Sequence, residues 1–140
     1  MLAVTPAFGA YPDDEEESDL ALIKQQIEND RASEAETSLR QLLANDPKNP
    51  DILNLLGYAS RKLGHWQASR DFYTHALTIE PGHKGALEYM GELELETGDV
   101  AAAKKLLQRL REQCPDGCEE LDDLLLAFSK NGVATSTDGN

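Results

Sequence analysis

Cys114 and Cys118 are the only cysteines of the chain, and Pro115-Asp116-Gly117 lies between them. Pro-Asp-Gly is a turn sequence, so the chain reverses between the two sulfurs. Such a reversal accommodates the Cα separation of about 5 to 6 Å that a disulfide requires. Three chemistries use a pair of this kind: a structural disulfide in an exported protein, two reduced thiols in a cytosolic one, and a soft-metal site that adds a carboxylate to both sulfurs. A redox-active version would draw on a helix N-terminus beyond Cys118 to favour the thiolate, which Glu119 and Glu120 oppose.

The remaining titratable residues nominate no catalyst. His65, His75 and His83 are not spaced four apart on one helix, and solvent-exposed positions at turns or repeat edges account for them better than metal ligation. Glu119, Glu120, Asp122 and Asp123 suggest paired carboxylates for acid/base work, yet they fall in the first turns of a helix whose positive end stabilises them. The sequence has no glycine-rich phosphate loop, no HExxH and no nucleophile elbow. The expectation is a chain with no catalytic residue, no metal site and no cofactor. Twenty-six acidic against thirteen basic side chains give a formal charge of −13, which repels nucleic-acid phosphate and anionic membrane and keeps the surface soluble.

The elements that must carry these residues announce themselves by a repeat. Pro47, Pro81 and Pro115 are spaced by 34 residues, as are Gly57 with Gly91, Gly64 with Gly98, and the small residues Ala35, Ser69 and Ala103. Between these marks apolar residues follow helical spacing, as in Leu53, Leu56 and Leu63, or Ala103, Leu106, Leu107 and Leu110. Each unit is therefore a helical hairpin. Asn49-Pro50 starts one helix and Asp99 caps another, while Pro81-Gly82 ends one. Helical glycines retained in register at a cost of about 1 kcal/mol each imply close helix approach, with Tyr73, Leu107 and Ala76 filling the space.

This pattern resembles the tetratricopeptide repeat. Leu56-Gly57, Ser69, Tyr73, Ala76 and Pro81 carry the resemblance in one unit, and Met90-Gly91, Ala103, Leu107 and Pro115 in the next. Leu53 and Leu87 stand where the family often has Trp, Ser60 and Glu94 where it often has Tyr, and Leu110 replaces a small residue. The expected fold is all-α, a right-handed solenoid of helical hairpins with a C-terminal capping helix. Its parts are a flexible tail or signal-peptide remnant over 1–17, a degenerate repeat over 18–49, repeats over 50–83 and 84–117, a capping helix over 118–131 and a disordered tail over 132–140. Cys114-Pro-Asp-Gly-Cys-Glu-Glu120 is also similar to a segment of small bacterial proteins of this family, which favours export. So do the apolar residues 1–10, which end in small side chains like a signal peptide but have no basic residue before Lys24. Periplasmic or otherwise exported is the expected location, with the cytoplasm as the alternative.

The resemblance implies a protein–protein interaction module, an adaptor or assembly factor that holds a peptide or protein segment in a concave groove lined by the first helix of each hairpin. The alternative is a thiol or metal-binding protein on a repeat scaffold. Helical spacing nominates Asn54, Tyr58 and Arg61, with Lys62 beside them, and the copy Glu88, Glu92 and Leu95 as the groove lining. Glu88 and Glu92 would repel the terminal carboxylates that the family's well-known clamp receives, so a basic or mixed-charge segment is the expected partner.

Overall fold

The computed structural model describes residues 12–135, so the expectations for residues 1–10 and for the last five residues lie outside it. The described chain is all helix: α1 (Pro12–Glu28), α2 (Ala32–Asn45), α3 (Pro50–Lys62), α4 (Trp66–Ile79), α5 (Lys84–Glu96), α6 (Val100–Gln113) and α7 (Glu119–Lys130). Helix α1 begins at Pro12, inside the segment expected to be a tail. At the other end, order continues past residue 131, because Val133 packs against the core and the Thr135 carbonyl accepts from Arg111 Nη2 at 2.9 Å.

Local chemistry sets the helix ends. Asn49 Oδ1 accepts from the N–H groups of Asp51 and Ile52 at the start of α3, with Pro50 in the first turn, where a missing donor costs nothing. Asp99 does the same for α6. The turn within each hairpin and the chain just beyond α7 repeat one geometry: Asp30, Gly64, Gly98 and, after α7, Gly132 take positive φ, of 61°, 77°, 86° and 68°. The N–H after each bonds back five residues, from Arg31 to Gln26, His65 to Ser60, Asp99 to Glu94 and Val133 to Phe128.

Hairpins α1/α2, α3/α4 and α5/α6 stack in chain order, and α7 closes the end. The backbones of the odd-numbered helices approach one another in sequence, α1 to α3 to α5 to α7, whereas those of α2, α4 and α6 stay farther apart, with the long Arg40 side chain of α2 reaching to 5.6 Å from the Phe72 ring centroid on α4. Close approach on one side and separation on the other curve the stack, leaving α1, α3, α5 and α7 on its concave face.

The core runs through the hairpins. Ala35, Ser69 and Ala103, the small residues in register, are fully buried. A Cβ on Gly57 would lie 2.5 Å from the Tyr73 ring, and the same approach lets Ser69 Oγ donate to the Gly57 carbonyl at 2.6 Å. At Gly91 the nearest neighbour is Leu124 of α7, whose Cδ1 would lie 2.8 Å from a Cβ there, so the missing side chain makes room for the last helix. Glu94, where the family often has Tyr, is buried by an ion pair to Arg70 at 2.6 Å. A charge-assisted hydrogen bond between repeats takes the place of aromatic packing there.

Candidate functional site

Helix α3 lies between α1 and α5 in the inner layer and against α2 and α4 behind it, so every residue from Ile52 to Arg61 is buried. This corrects the expected lining. Tyr58, 8% exposed, stacks on Tyr89 of α5 with ring centroids 4.6 Å apart. The Arg61 guanidinium sits 5.3 and 5.6 Å from the Tyr58 and Tyr89 ring centroids, donates to the Tyr89 carbonyl at 3.2 Å and pairs with Glu92 at 2.5 Å. Tyr58, Arg61 and Glu92 thus complete an inter-repeat clamp. Arg61 already has its acidic partner, and Tyr58 presents its ring to a neighbour in the stack. Leu95 is buried too, and Lys62 is exposed beside the α1–α2 turn, its Nζ 5.7 Å from the Tyr58 ring centroid. The physical reason is crowding, since two inner-layer neighbours cover a stripe that one isolated hairpin would leave open.

Of the residues named from helical spacing, Asn54, Glu88 and Glu92 border hollows between the inner helices. A hollow of about 490 Å³ opens between α1 and α3, walled by Glu16, Leu20 and Lys24 on one side and by Asp51, Asn54 and Leu55 on the other. It adjoins a smaller one of about 160 Å³, where Asn54 meets Gly85 and Glu88 of α5 and Glu119, Glu120 and Asp123 of α7. Beyond Asp123 a third, of about 320 Å³, lies between Glu92 and Glu96 on one side and Leu126 and Lys130 on the other. The face is a connected groove whose carboxylates outnumber its cations. Burial, reinforced by the charges of Glu92, Asp123 and Glu120, pushes Glu88 up to about 8.

Glu119, Glu120 and Asp123 were legible as a helix start and are that, but they also wall the groove. The 34-residue period could have found much of this lining, because carrying the stripe back one unit from Asn54 and Tyr58 reaches Leu20 and Lys24, and forward one unit from Glu92 reaches Leu126.

Cys114 and Cys118, with Cα atoms 5.7 Å apart, form a disulfide, so neither sulfur is a thiolate available to a metal. Cys114 is buried in the core and Cys118 begins α7 without a side-chain cap, so the covalent bond ties the last helix to the stack. His83 corrects the expectation of an exposed histidine: its Nδ1 accepts from the Ala86 N–H to cap α5, and its Nε2 lies 2.6 Å from Asp51 Oδ1. That contact lowers the Asp51 pKa through the hydrogen bond. No helix among the described residues is long and apolar enough to cross a membrane.

Comparison with known proteins gives a consistent picture. Two family models, each described as tetratricopeptide repeat, match residues 20–84 and 60–127. The chain is similar to two proteins named "Probable biofilm formation methyltransferase WspC", at 40% identity over 70 residues in Pseudomonas aeruginosa and 30% over 109 residues in Pseudomonas putida. Those matches take in 50% and 77% of this chain but 16% and 26% of the relatives, so it spans under a third of their length. Among solved structures, the Yersinia enterocolitica type III secretion translocator chaperone SycD superposes with a TM-score of 0.70 at 16% identity, covering 88% of this chain and 85% of that one. PcrH, crystallised in complex with the chaperone binding region of PopD, superposes at 0.68 and 16% identity, covering 89% and 94%. At such identity these two likenesses speak for the fold.

Proposed function

We propose that this chain, which belongs to the tetratricopeptide repeat family, is an adaptor or assembly factor that holds a segment of a partner protein along its concave groove. The observation that carries the reading is the groove itself: three adjoining hollows across α1, α3, α5 and α7, lined by more carboxylates than cations. A groove of that charge favours a basic or mixed-charge segment and rejects an acidic tail. A fold neighbour crystallised with a segment of its partner supports the same mode of use. The small share of the methyltransferase relatives that the chain matches supports no catalytic role. The Cys114–Cys118 disulfide supports an oxidising, exported location.

The test uses groove carboxylates that are not packed in the clamp. Glu120→Lys with Asp123→Lys places two cations in the groove, on residues whose side chains reach solvent. Capture of partner from native extract by this variant should fall by at least about tenfold, with circular dichroism and melting temperature close to those of the parent chain. Undiminished capture by the folded variant would move the binding face elsewhere, with the convex side as the next place to look.

A further inference from the structure

Asn54, which borders the smallest of the three hollows, carries an unsatisfied acceptor. Asn54 is 7% exposed, yet its Oδ1 accepts no hydrogen bond among the described residues. A buried amide oxygen in that state has lost water without a replacement donor, which native interiors avoid unless something else supplies the donor. A Cβ on Gly85 would lie 2.8 Å from Asn54 Nδ2, so glycine there leaves the space that the amide occupies. Across the hollow stands Glu88, 6% exposed and, unlike Glu92 one turn on, without an ion-pair partner among the described residues. Lys24 at the rim has its Nζ 4.0 Å from Glu28, on its own helix.

Resting on the groove reading above, we infer that this hollow is an anchor pocket for one cationic side chain, lysine or arginine, of the bound segment. Asn54 Oδ1 and the Glu88 carboxylate accept its N–H groups, Glu120 and Asp123 supply further negative charge, and Leu55 and Tyr89 flank its methylenes. A metal ion does not fit the same oxygens, because among the described residues no three His, Cys, Asp or Glu side chains are grouped closely enough to hold one.

The pocket's electrostatics agree. Glu88, pushed up by burial to about 8, keeps its proton in the empty groove at neutral pH, and a cation seated beside it expels that proton. Capture should therefore strengthen as pH rises from about 6 to about 9. The groups facing Glu88 are Lys24 on α1, the uncharged Asn54 and Leu55 on α3, Tyr89 and Glu92 on α5, and Glu119, Glu120 and Asp123 on α7. Tyr89, raised by burial, stays neutral over that range.

Random nine-residue peptides displayed on phage and selected on the full chain test the pocket whatever the natural partner is. Selected peptides should share a lysine or arginine at one position. In a synthetic copy, norleucine there should cost at least about tenfold in affinity, and that cost should vanish in Glu88→Gln and shrink in Asn54→Leu. Glu88→Gln keeps the shape of the side chain, and Asn54→Leu serves if it fails to fold. Peptides that are blocked by Glu120→Lys with Asp123→Lys but share no basic position, or a norleucine cost unchanged in both pocket variants, would overturn the anchor and leave the groove reading standing. Failure to select any peptide that this charge reversal blocks would overturn both.

Discussion

Glu88 and Glu92 sit one helical turn apart on α5 and live in different surroundings. Glu92 meets the Arg61 guanidinium, whereas Glu88 is enclosed among other carboxylates and is pushed up to about 8 from 4.5 by burial first and by Glu92, Asp123 and Glu120 after it. The folded chain thus holds a proton that the unfolded chain releases near pH 4.5. The stability that this proton contributes is complete below about pH 4.5 and falls as pH rises toward 8, where it levels off. Glu88→Gln, neutral throughout, should flatten that slope and leave the variant more stable than the parent above about pH 8, by an amount up to about 5 kcal/mol. Urea unfolding midpoints at a series of pH values measure it; parallel curves for the two proteins would mean that Glu88 is well solvated.

At the scale of the element, the hairpin turns show how backbone conformation overrides side-chain identity. Gly64 and Gly98, like Gly132 beyond α7, take positive φ with no atom near enough to oppose a Cβ, so their reason is conformational alone. Asp30 occupies the equivalent place in the first hairpin at φ 61° and makes the same five-residue return through Arg31. An aspartate there bears left-handed strain that glycine avoids, so Asp30→Gly should raise the unfolding free energy by about 0.5 kcal/mol, and Gly98→Ala should lower it by about 1 kcal/mol. Opposite shifts in thermal midpoint check the pair; equal shifts in one direction would show that the turns do not share a mechanism. The turns between hairpins vary differently. Asn49 and His83 cap the helix that follows, while Cys118 offers no such hydrogen bond and is tied covalently to Cys114.

The whole molecule depends on its last helix more than an end piece would suggest. Leu124 and Phe128 are fully buried, and Leu124 fills the space that Gly91 leaves open on α5. Cutting the chain at Pro115 removes both side chains and exposes α5, at roughly 2 kcal/mol for each large apolar group lost. Because stacked repeats share one core through nearest-neighbour contacts, the loss should lower the melting temperature of the remaining hairpins and not only shorten the helical signal. Calorimetry on the truncated chain checks this, and an unaltered melting temperature would deprive α7 of its capping role.

The sequence by itself determined the period, the hairpins and the ends of their helices, because capping side chains, prolines and turn glycines act on the backbone within a few residues of themselves. It also determined the acidic character of the surface and the turn that brings Cys114 to Cys118. Only the tertiary structure decided which residues line the concave groove. Tyr58 and Arg61 share a helical stripe with Asn54, yet the approach of α5 to α3 buries them in an inter-repeat clamp, while Asn54 lines the groove. Conversely, Asp123 and Glu120 belong to a helix start by local chemistry and reach the pocket around Glu88 only because α7 packs on α5. Helical spacing assigns a residue to one side of its own helix, but whether that side meets another helix or water depends on how neighbouring repeats pack, and that is set by contacts between residues a whole repeat apart.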